Sequence, residues 1–335
     1  MKAYKKTIFL SVISLLSLGI MTFGFYSEMN KNIKSIQLEL EGVQLIKPLL
    51  KLMRLTQHNR SLSSEWTKDN KSLMSEIINT THQQKQIITI IGDQLPDDLL
   101  HSPLWKYILF KQQDIALSGF SWEKEKNFEE QGQLITQLLK FTALIGDDYH
   151  LSLDNQQDSY YLMRVSVYDM PLALEYLAQV KAYASKILTV KSISDVEKIK
   201  IFNLLGQLHN ALFVLNNNLE KVTSHQALNS HLMLIANDIK LLSQEMTQPI
   251  YDDILSEKFI VSAAHFSNVS AKAMDINYKN INKVLLPALE VKLRDRKIMA
   301  QQKLWGIMSL ALLLAFIFHY LFYALYGRET FKYAD

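Results

Sequence analysis

The residue that most directly suggests binding chemistry is Arg60, which lies in the segment LLKLMRLTQHNRSLSS at residues 49 to 64. Apolar residues recur here at helical spacing, and at about 100° per residue they form one face of a helix. Arg60 falls inside that face, whereas Arg54 and His58 point the opposite way. The sequence therefore predicts a helix that turns a guanidinium group inward. The apolar face is formed by Leu45, Leu49, Leu52, Met53 and Leu55.

An inward arginine needs a partner, because an unpaired charge removed from water is strongly destabilising. Three interpretations are open. In the first, Arg60 reaches a helix end or a water-filled gap and is structural. In the second, it forms a buried ion pair with a carboxylate such as Asp169. In the third, its planar fork of donors binds a small anion or carboxylate ligand.

A second group of candidates begins another long helix, in LSLDNQQDSYYLMRVSVYDMP at residues 151 to 171. Asp158, Tyr160 and Tyr161 are the candidate ligand-binding residues of this segment. A purely structural alternative exists for the tyrosines: Tyr161 lies off the apolar arc counted from Leu162 and faces solvent, and Tyr160 packs against a neighbour. Asp169 lies at the edge of the same arc.

Several kinds of chemistry lack their usual residues. The chain has no cysteine, which excludes disulfides, thiolate metal sites and cysteine nucleophiles. His225 and His231 are six residues apart and fall on different helix faces, so no helical metal pair is predicted. The sequence has no G-x-S-x-G, no glycine-rich phosphate loop and no H-E-x-x-H. We therefore predict no enzymatic activity, no cofactor and no metal. The net charge of +3 argues against nucleic acid as a partner.

Two segments are apolar and long enough to span a bilayer, which needs roughly 20 residues. The first runs from residue 7 to residue 26 and the second from residue 304 to residue 326, with Trp305 and Tyr326 at the ends where interfacial aromatic residues are expected. The first segment also fits a cleaved signal peptide, but no A-x-A-like cleavage site follows, which favours an uncleaved anchor.

Charge around these segments predicts their orientation. Lys2, Lys5 and Lys6 favour a cytoplasmic N-terminus at residues 1 to 6. Two spans then place residues 27 to 303 in the periplasm and residues 327 to 335 in a short cytoplasmic tail. The basic run VKLRDRKIMAQQK, which precedes the second span, argues in the opposite direction.

The region between the spans is predicted to be all-α. Helical periodicity recurs throughout, Ser194 and Glu197 form a capping-box pattern, and no segment alternates like a strand. Breaks are expected at residues 96 to 103, 118 to 127 and 145 to 158, and a final helix is expected from about Ser256 into the second span. Long amphipathic helices bury their apolar faces against one another, so we expect a long-helix periplasmic bundle, two stacked four-helix-type bundles, flanked by the transmembrane helices.

Both candidate segments resemble the periplasmic helical sensor domains of bacterial two-transmembrane signalling proteins, including chemoreceptors and membrane-bound diguanylate cyclases. In the first segment the similar positions are Glu41, Gly42, Pro48, Leu49, His58, Arg60 and Ser63. In the second they are Leu153, Asp154, Asp158, Ser159, Tyr160, Tyr161, Leu162 and Met163. Part of the first segment also resembles the nitrate- and nitrite-sensing domain, and that resemblance implies that Arg60 is a ligand arginine.

The resemblance implies a sensory input in the bacterial inner membrane. Its expected partners are a small anionic or carboxylate ligand or a periplasmic binding protein, and a homodimer is expected because helix shifts are read across a two-fold interface. Similar receptors continue into an output domain, whereas this chain ends nine residues after Tyr326. Either it is the input half of a longer receptor, or it signals through a separate kinase, cyclase or chemotaxis protein. The alternative function is a structural adaptor whose helical bundle binds proteins and no small molecule.

Overall fold

The computed structural model describes residues 2–66, 71–153, 156–223 and 229–330, and within these ranges all regular structure is helical. The all-α prediction is therefore confirmed. The α-helices are α1 (Lys2–Glu65), α2 (Lys71–Gln94), α3 (Asp97–Leu100), α4 (Pro103–Ser118), α5 (Lys124–Asp148), α6 (Gln157–Met163), α7 (Met170–Val190), α8 (Asp195–Thr223), α9 (Asn229–Pro249), α10 (Ala263–Asn280) and α11 (Leu286–Thr330).

Short segments of other helix types complete the fold. Single 3₁₀ turns lie at Gly119–Ser121 and Leu151–Leu153. Three π-helical segments, Arg164–Asp169, Ile250–Ile254 and Ile281–Leu285, follow α6, α9 and α10 directly. The first and third join helices without a break, so α6 continues into α7 and α10 continues into α11.

Local sequence signals explain where α4 and α8 begin. The predicted capping box is present: the Glu197 amide donates to Ser194 Oγ at 3.3 Å, and the Ser194 amide donates to Glu197 Oε2 at 3.0 Å. Ser102 caps α4 just before Pro103, which occupies a position where a missing amide hydrogen is harmless. The predicted breaks coincide with the ends of α2, α4 and α5.

Sequence reasoning placed the start of the final helix wrongly. The helix begins at Ala263 with Ser262 as its N-cap, not near Ser256. The Asp253 carboxylate accepts hydrogen bonds from the amides of Ile260 and Val261, at 2.7 and 2.9 Å, and so holds the chain in a loop. A side chain thus competes with helix formation in the preceding residues.

The described chain divides into two units. The first comprises Met1–Leu40 and Lys292–Asp335. It contains apolar side chains that no protein covers, among them Ile20 and Phe316, which are 72% and 70% exposed. Polar contacts inside this unit join its two helical parts, with Arg296 donating to Glu39 at 3.3 Å and Lys297 to Gln37 at 2.6 Å. Two helical stretches, Ser11–Glu65 and Ala263–Leu321, are long and apolar enough to cross a membrane, and none of the most apolar window in either is buried.

The second unit is Glu41–Val291, and it holds most of the buried core. Within it α7 packs against α8 and α10, α9 packs against α8 and α10, and α4 packs against α5. Side chains of α1 reach α2, α7 and α10 through hydrogen bonds described below. The segment of α1 that carries Arg60 is therefore surrounded by other helices.

Gly42 shows how closely the chain approaches itself at the beginning of this unit. A Cβ atom at this position would lie 2.6 Å from Tyr149 Cβ, a distance that real Cβ contacts do not show. Any larger residue would push α1 away from the end of α5. Glycine is thus required here for packing.

Candidate functional site

Arg60 is buried, as its helical phase predicts, with 2% of its surface exposed. Its guanidinium group forms a bidentate ion pair with Glu175 of α7, with Nη1 2.7 Å from Oε1 and Nη2 3.0 Å from Oε2. The same group lies over the ring of Phe128, 4.8 Å from its centre. Two parallel charge-assisted hydrogen bonds fix both the distance and the orientation of the pair.

The Glu175 carboxylate is saturated by further donors. Gln57 of α1 donates to Oε2 at 2.9 Å, and Gln179 of α7 donates to Oε1 at 2.7 Å. Each carboxylate oxygen thus accepts two hydrogen bonds, which uses the lone-pair sites that a carboxylate offers. The hydroxyl of Tyr278 in α10 then donates to Gln57 Oε1 at 2.7 Å. Burial is the main cause that raises the pKa of Tyr278, so this donor keeps its proton.

These contacts favour one of the three interpretations of Arg60. Its fork of donors is occupied by a carboxylate of the chain itself, which supports the buried ion pair. The partner is Glu175, not Asp169.

Asp169 has partners of its own. The π segment brings it beside Arg164, whose Nη2 lies 3.1 Å from Asp169 Oδ1, and Asn218 of α8 donates to Asp169 Oδ2 at 2.7 Å. Burial raises the pKa of Asp169, and the hydrogen bonds from Asn218 and Arg164 oppose that rise.

Tyr160 and Tyr161 form a separate group. Their rings pack edge to face with centres 5.2 Å apart, and Lys221 of α8 lies 4.7 Å above the Tyr161 ring. Tyr161 and Glu175 are 14 residues apart along one continuous helical stretch, or about 20 Å at 1.5 Å per residue. The structure therefore does not bring the tyrosines to the Arg60 pair. The side chain of Asp158, like His225, lies outside the described residues.

A cavity of about 240 Å³ lies next to the ion pair along α1, one turn further toward the helix end. It is partly open to solvent and is bordered by the end of α1, by α2, by the junction of α4 with the 3₁₀ turn, and by the start of α5. Its polar lining comes from Asn59, Ser63, Thr81, Asn127 and Gln131, and its aromatic lining from Trp66, Phe120 and Trp122. Trp66 and Phe120 pack edge to face with ring centres 5.6 Å apart.

Among the described residues, two buried polar atoms of this lining have no hydrogen-bond partner, the indole Nε1 of Trp66 and Oε1 of Gln131. The first is a donor and the second an acceptor. Buried polar groups are nearly always paired, because leaving one unpaired costs about 1–3 kcal/mol. Both atoms are fully buried in the wall of the cavity, so they do not open onto its space.

The orientation of the Gln131 amide follows from the hydrogen-bond chain beside it. The carbonyl of Gly119 can only accept, so Asn127 must turn Nδ2 toward it, and these atoms are 2.7 Å apart. Asn127 then presents Oδ1, which accepts from Gln131 Nε2 at 2.5 Å. The oxygen of Gln131 is consequently the end that stays unpaired, because flipping the amide would place two acceptors in contact.

A second set of hydrogen bonds fixes the α1 wall of the cavity. Asn59 donates from Nδ2 to Thr81 Oγ1 at 3.0 Å and to Gln84 Oε1 at 3.2 Å, which ties α1 to α2. Ser63 donates to Asn59 Oδ1 at 3.3 Å. The wall is therefore preorganised, since its polar groups already hold one another in place.

Sequence reasoning missed three residues that matter here. Glu175 had a usable signal, because it is the single acid in the apolar run LALEYLAQV at residues 172 to 180. Trp66 and Gln131 had none, since neither their type nor their spacing distinguishes them from ordinary surface and core residues. Their importance arises only from the approach of separate helices.

Comparison of the chain with protein-family models, with curated proteins and with solved structures found no match. The assignment of a function therefore depends on the site geometry and on the arrangement of apolar segments.

Proposed function

We propose that the chain is the sensory input of a bacterial two-span membrane signalling protein, and that its ligand binds in the cavity beside Trp66 and Gln131. The proposal rests on the cavity itself, a space of about 240 Å³ lined by polar side chains and by the rings of Trp66, Phe120 and Trp122. A purely structural bundle has no need for such a space, because filling it with apolar side chains would add stability.

The proposal includes insertion in the inner membrane with the helical domain in the periplasm. Support for insertion comes from the uncovered apolar side chains of the first unit, which need lipid around them. The orientation rests on Lys2, Lys5 and Lys6. Two of the basic residues that argue against it, Arg296 and Lys297, donate to Glu39 and Gln37 of α1. Their place in the sequence thus has a structural reason that is independent of orientation.

Transmission would use the two helices that carry the apolar segments. The cavity wall includes Asn59, Ser63 and Trp66 at the end of α1, and α1 is helical from Lys2 to Glu65. The α10 helix, tied to Gln57 of α1 through Tyr278, continues into α11 without a break. In this proposal, a ligand that pairs with the cavity wall favours one position of α1 against α10, and a shift of one or two ångströms is the signal. The proposal also includes a periplasmic domain of two stacked bundles and a homodimer. The output would come from a separate kinase, cyclase or chemotaxis protein.

The Arg60 pair has a supporting role in this scheme. Because its charge is neutralised by Glu175, which also accepts from two of its five N–H groups, it does not supply the charge that a small anion would need. It joins α1 to α7 beside the cavity and so keeps the cavity wall at a fixed position. This geometry favours a ligand site adjacent to Arg60 over a ligand bound by Arg60.

The test is a thermal-shift screen of the full chain in detergent micelles against small neutral, anionic and cationic compounds. Ala116 lines the cavity, and Ala116→Trp would fill it from the exposed side of α4. Leu117→Trp is the matched control, because Leu117 is 76% exposed and lies outside the lining. We expect compounds that raise the melting temperature of the wild type and of Leu117→Trp, and that have no effect on Ala116→Trp. Equal responses in both variants would reject the cavity as the binding site.

A second candidate function, an adaptor that binds proteins, is favoured by a different observation. Ile199, Phe202 and Phe213 lie on one face of α8 and are 63%, 52% and 64% exposed. Exposed apolar side chains on one helix face are typical of protein contacts.

Sedimentation of the full chain in detergent tests this candidate. Phe202→Glu should reduce self-association or partner binding. The control variant Asn203→Glu, on a neighbouring exposed face, should not. If the screen yields no cavity ligand while Phe202→Glu abolishes association, the adaptor is the better description.

A further inference from the structure

A groove lies between α9 and α10, in a part of the second unit that shares no lining residue with the cavity near Trp66. Its space of about 850 Å³ is largely open to solvent. Leu241 of α9 and Ile276 of α10 belong to its lining and are 46% and 37% exposed. Apolar side chains that are gathered on an exposed surface are typical of protein contacts.

The charged side chains of this groove are separated by sign. Among the described residues of the lining, every carboxylate belongs to α9 or to the π segment that follows it: Asp238, Glu245, Asp252 and Asp253. Every basic side chain belongs to α10 or to the loop before it: Lys258, His265 and Lys272. One wall of the groove is therefore acidic and the other is basic.

The two helices are antiparallel, so their residues can be matched by level. Asn280 of α10 donates to Asp238 of α9 at 3.2 Å, and near the connecting loop the Ile260 amide donates to Asp253 at 2.7 Å. Each step forward along α9 therefore corresponds to one step back along α10.

Matching by level brings opposite charges to the same height. Counted from the Asp238–Asn280 contact, Glu245 lies within one residue of the level of Lys272, and one residue of an α-helix is about 1.5 Å. Within the described part of the chain, neither Glu245 nor Lys272 has an ion-pair partner. By the same count Leu241 lies within one residue of the level of Ile276.

This arrangement is self-complementary, as an interface between two copies related by a two-fold axis must be. An axis parallel to the groove places α9 of each copy against α10 of the other. The acidic wall then meets the basic wall twice, and Leu241 of each copy meets Ile276 of the other. An axis across the helices would instead place α9 against α9 and bring carboxylates together, which is unfavourable.

We propose that the groove between α9 and α10 is a dimer interface, which a second copy of the chain fills around a two-fold axis parallel to these helices. Glu245 of each copy pairs with Lys272 of the other, and the two pairs of helices form a four-helix bundle in which acidic and basic walls alternate. This inference rests on the homodimer of the proposed function and assigns a surface to it.

Charge reversal tests the proposal, with sedimentation velocity of the full chain in detergent as the measurement. We expect the wild type to sediment as a dimer. Glu245→Lys and Lys272→Glu each place like charges opposite one another in both halves of the interface, so each variant should associate at least about tenfold more weakly. Lys240→Glu is the matched control, because Lys240 is exposed on α9 and lies outside the groove lining. It should dimerise like the wild type.

A mixture of the two variants separates contact between copies from repulsion within one chain. In a mixed dimer, each reversed charge meets the opposite sign on the other chain, whereas the charges inside each chain are unchanged. Equimolar Glu245→Lys and Lys272→Glu should therefore recover the dimer, and the melting temperature of each variant alone shows that it folds. A mixture that stays monomeric would overturn the proposed contact. Dimers in both single variants, or a monomeric wild type, would also overturn it.

The outcomes also separate this inference from the proposed function. Compounds that bind the cavity should still raise the melting temperature of Glu245→Lys, because the groove and the cavity have no lining residue in common. If Phe202→Glu abolishes the dimer and Glu245→Lys does not, the sensor proposal stands and the groove is not the interface. If the mixture recovers the dimer while Ala116→Trp changes the effect of no compound, the interface stands and the cavity is not a ligand site.

Discussion

The Arg60–Glu175 pair and the cavity beside Trp66 both place polar groups inside the same helical unit, but only the pair has satisfied them. At the pair, each oxygen of Glu175 accepts two hydrogen bonds, and the donors come from α1 and α7. In the wall of the cavity, Trp66 Nε1 and Gln131 Oε1 have no partner among the described residues. A buried charge attracts attention in a sequence, yet here it is paired with a carboxylate of the chain. We propose that the ligand binds one turn away, in the cavity.

The largest expected effect comes from breaking the pair. Glu175→Gln keeps the shape of the side chain but leaves the Arg60 charge buried without compensation, which should lower the free energy of unfolding by about 3–5 kcal/mol. Asp275→Asn is the matched control, because the Arg54–Asp275 pair has side chains that are 43% and 52% exposed and should contribute about 1 kcal/mol or less. Urea denaturation of the full chain in detergent, followed by circular dichroism, measures both. Equal losses in the two variants would show that burial of the Arg60 pair has no energetic consequence.

An intermediate effect should distinguish two tryptophans. Trp105 is 1% exposed and stacks on Phe141 with ring centres 5.2 Å apart, so Trp105→Phe opens a new void and should cost about 1–3 kcal/mol. Trp66 borders a space that is already open and has an unpaired N–H group. Trp66→Phe should therefore change stability by less than about 1 kcal/mol. The same denaturation experiment applies, and a larger loss for Trp66→Phe than for Trp105→Phe would mean that the cavity is closed and well packed in solution.

The smallest effect concerns Lys181, a buried cation near the pair. It donates to the hydroxyl of Ser61 at 3.0 Å, and burial lowers its pKa, opposed by Glu65 and Asp275. Between this lowered pKa and the ordinary value of 10.5, the unfolded chain binds the extra proton, so stability should rise with pH in that window. Lys181→Met removes the titrating group and should flatten the rise. Unfolding free energies measured at several alkaline pH values test this, and identical slopes in the two proteins would contradict it.

Much of the fold could be predicted from sequence because the signals were local. The capping box at Ser194 and Glu197, the breaks near Pro96 and Pro103, and the inward phase of Arg60 all depend on spacing within one helix. The start of α10 was predicted wrongly because the Asp253 carboxylate, eight residues before Val261, holds the intervening loop. No helical periodicity reveals such a contact.

The site was less predictable, for reasons that concern tertiary packing. Because α7 packs against α8 and α10 and also contacts α1, most of its circumference is buried, and a face counted from periodicity could not identify Glu175. Asp169, which sequence reasoning offered as the partner, lies in a π segment whose extra residue per turn changes the direction of side chains. The cavity was beyond prediction, since an unpaired atom is a property of the assembled helices.

We propose that the ligand binds in the cavity and not at Arg60. The decisive experiment repeats the thermal-shift screen on the double variant Arg60→Met/Glu175→Gln, which removes both charges and leaves neither uncompensated, beside Ala116→Trp. We expect compounds active on the wild type still to raise the melting temperature of the double variant, from whatever baseline it has, and to have no effect on Ala116→Trp. If the response disappears in the double variant and persists in Ala116→Trp, the ligand binds at Arg60 and the cavity is not its site.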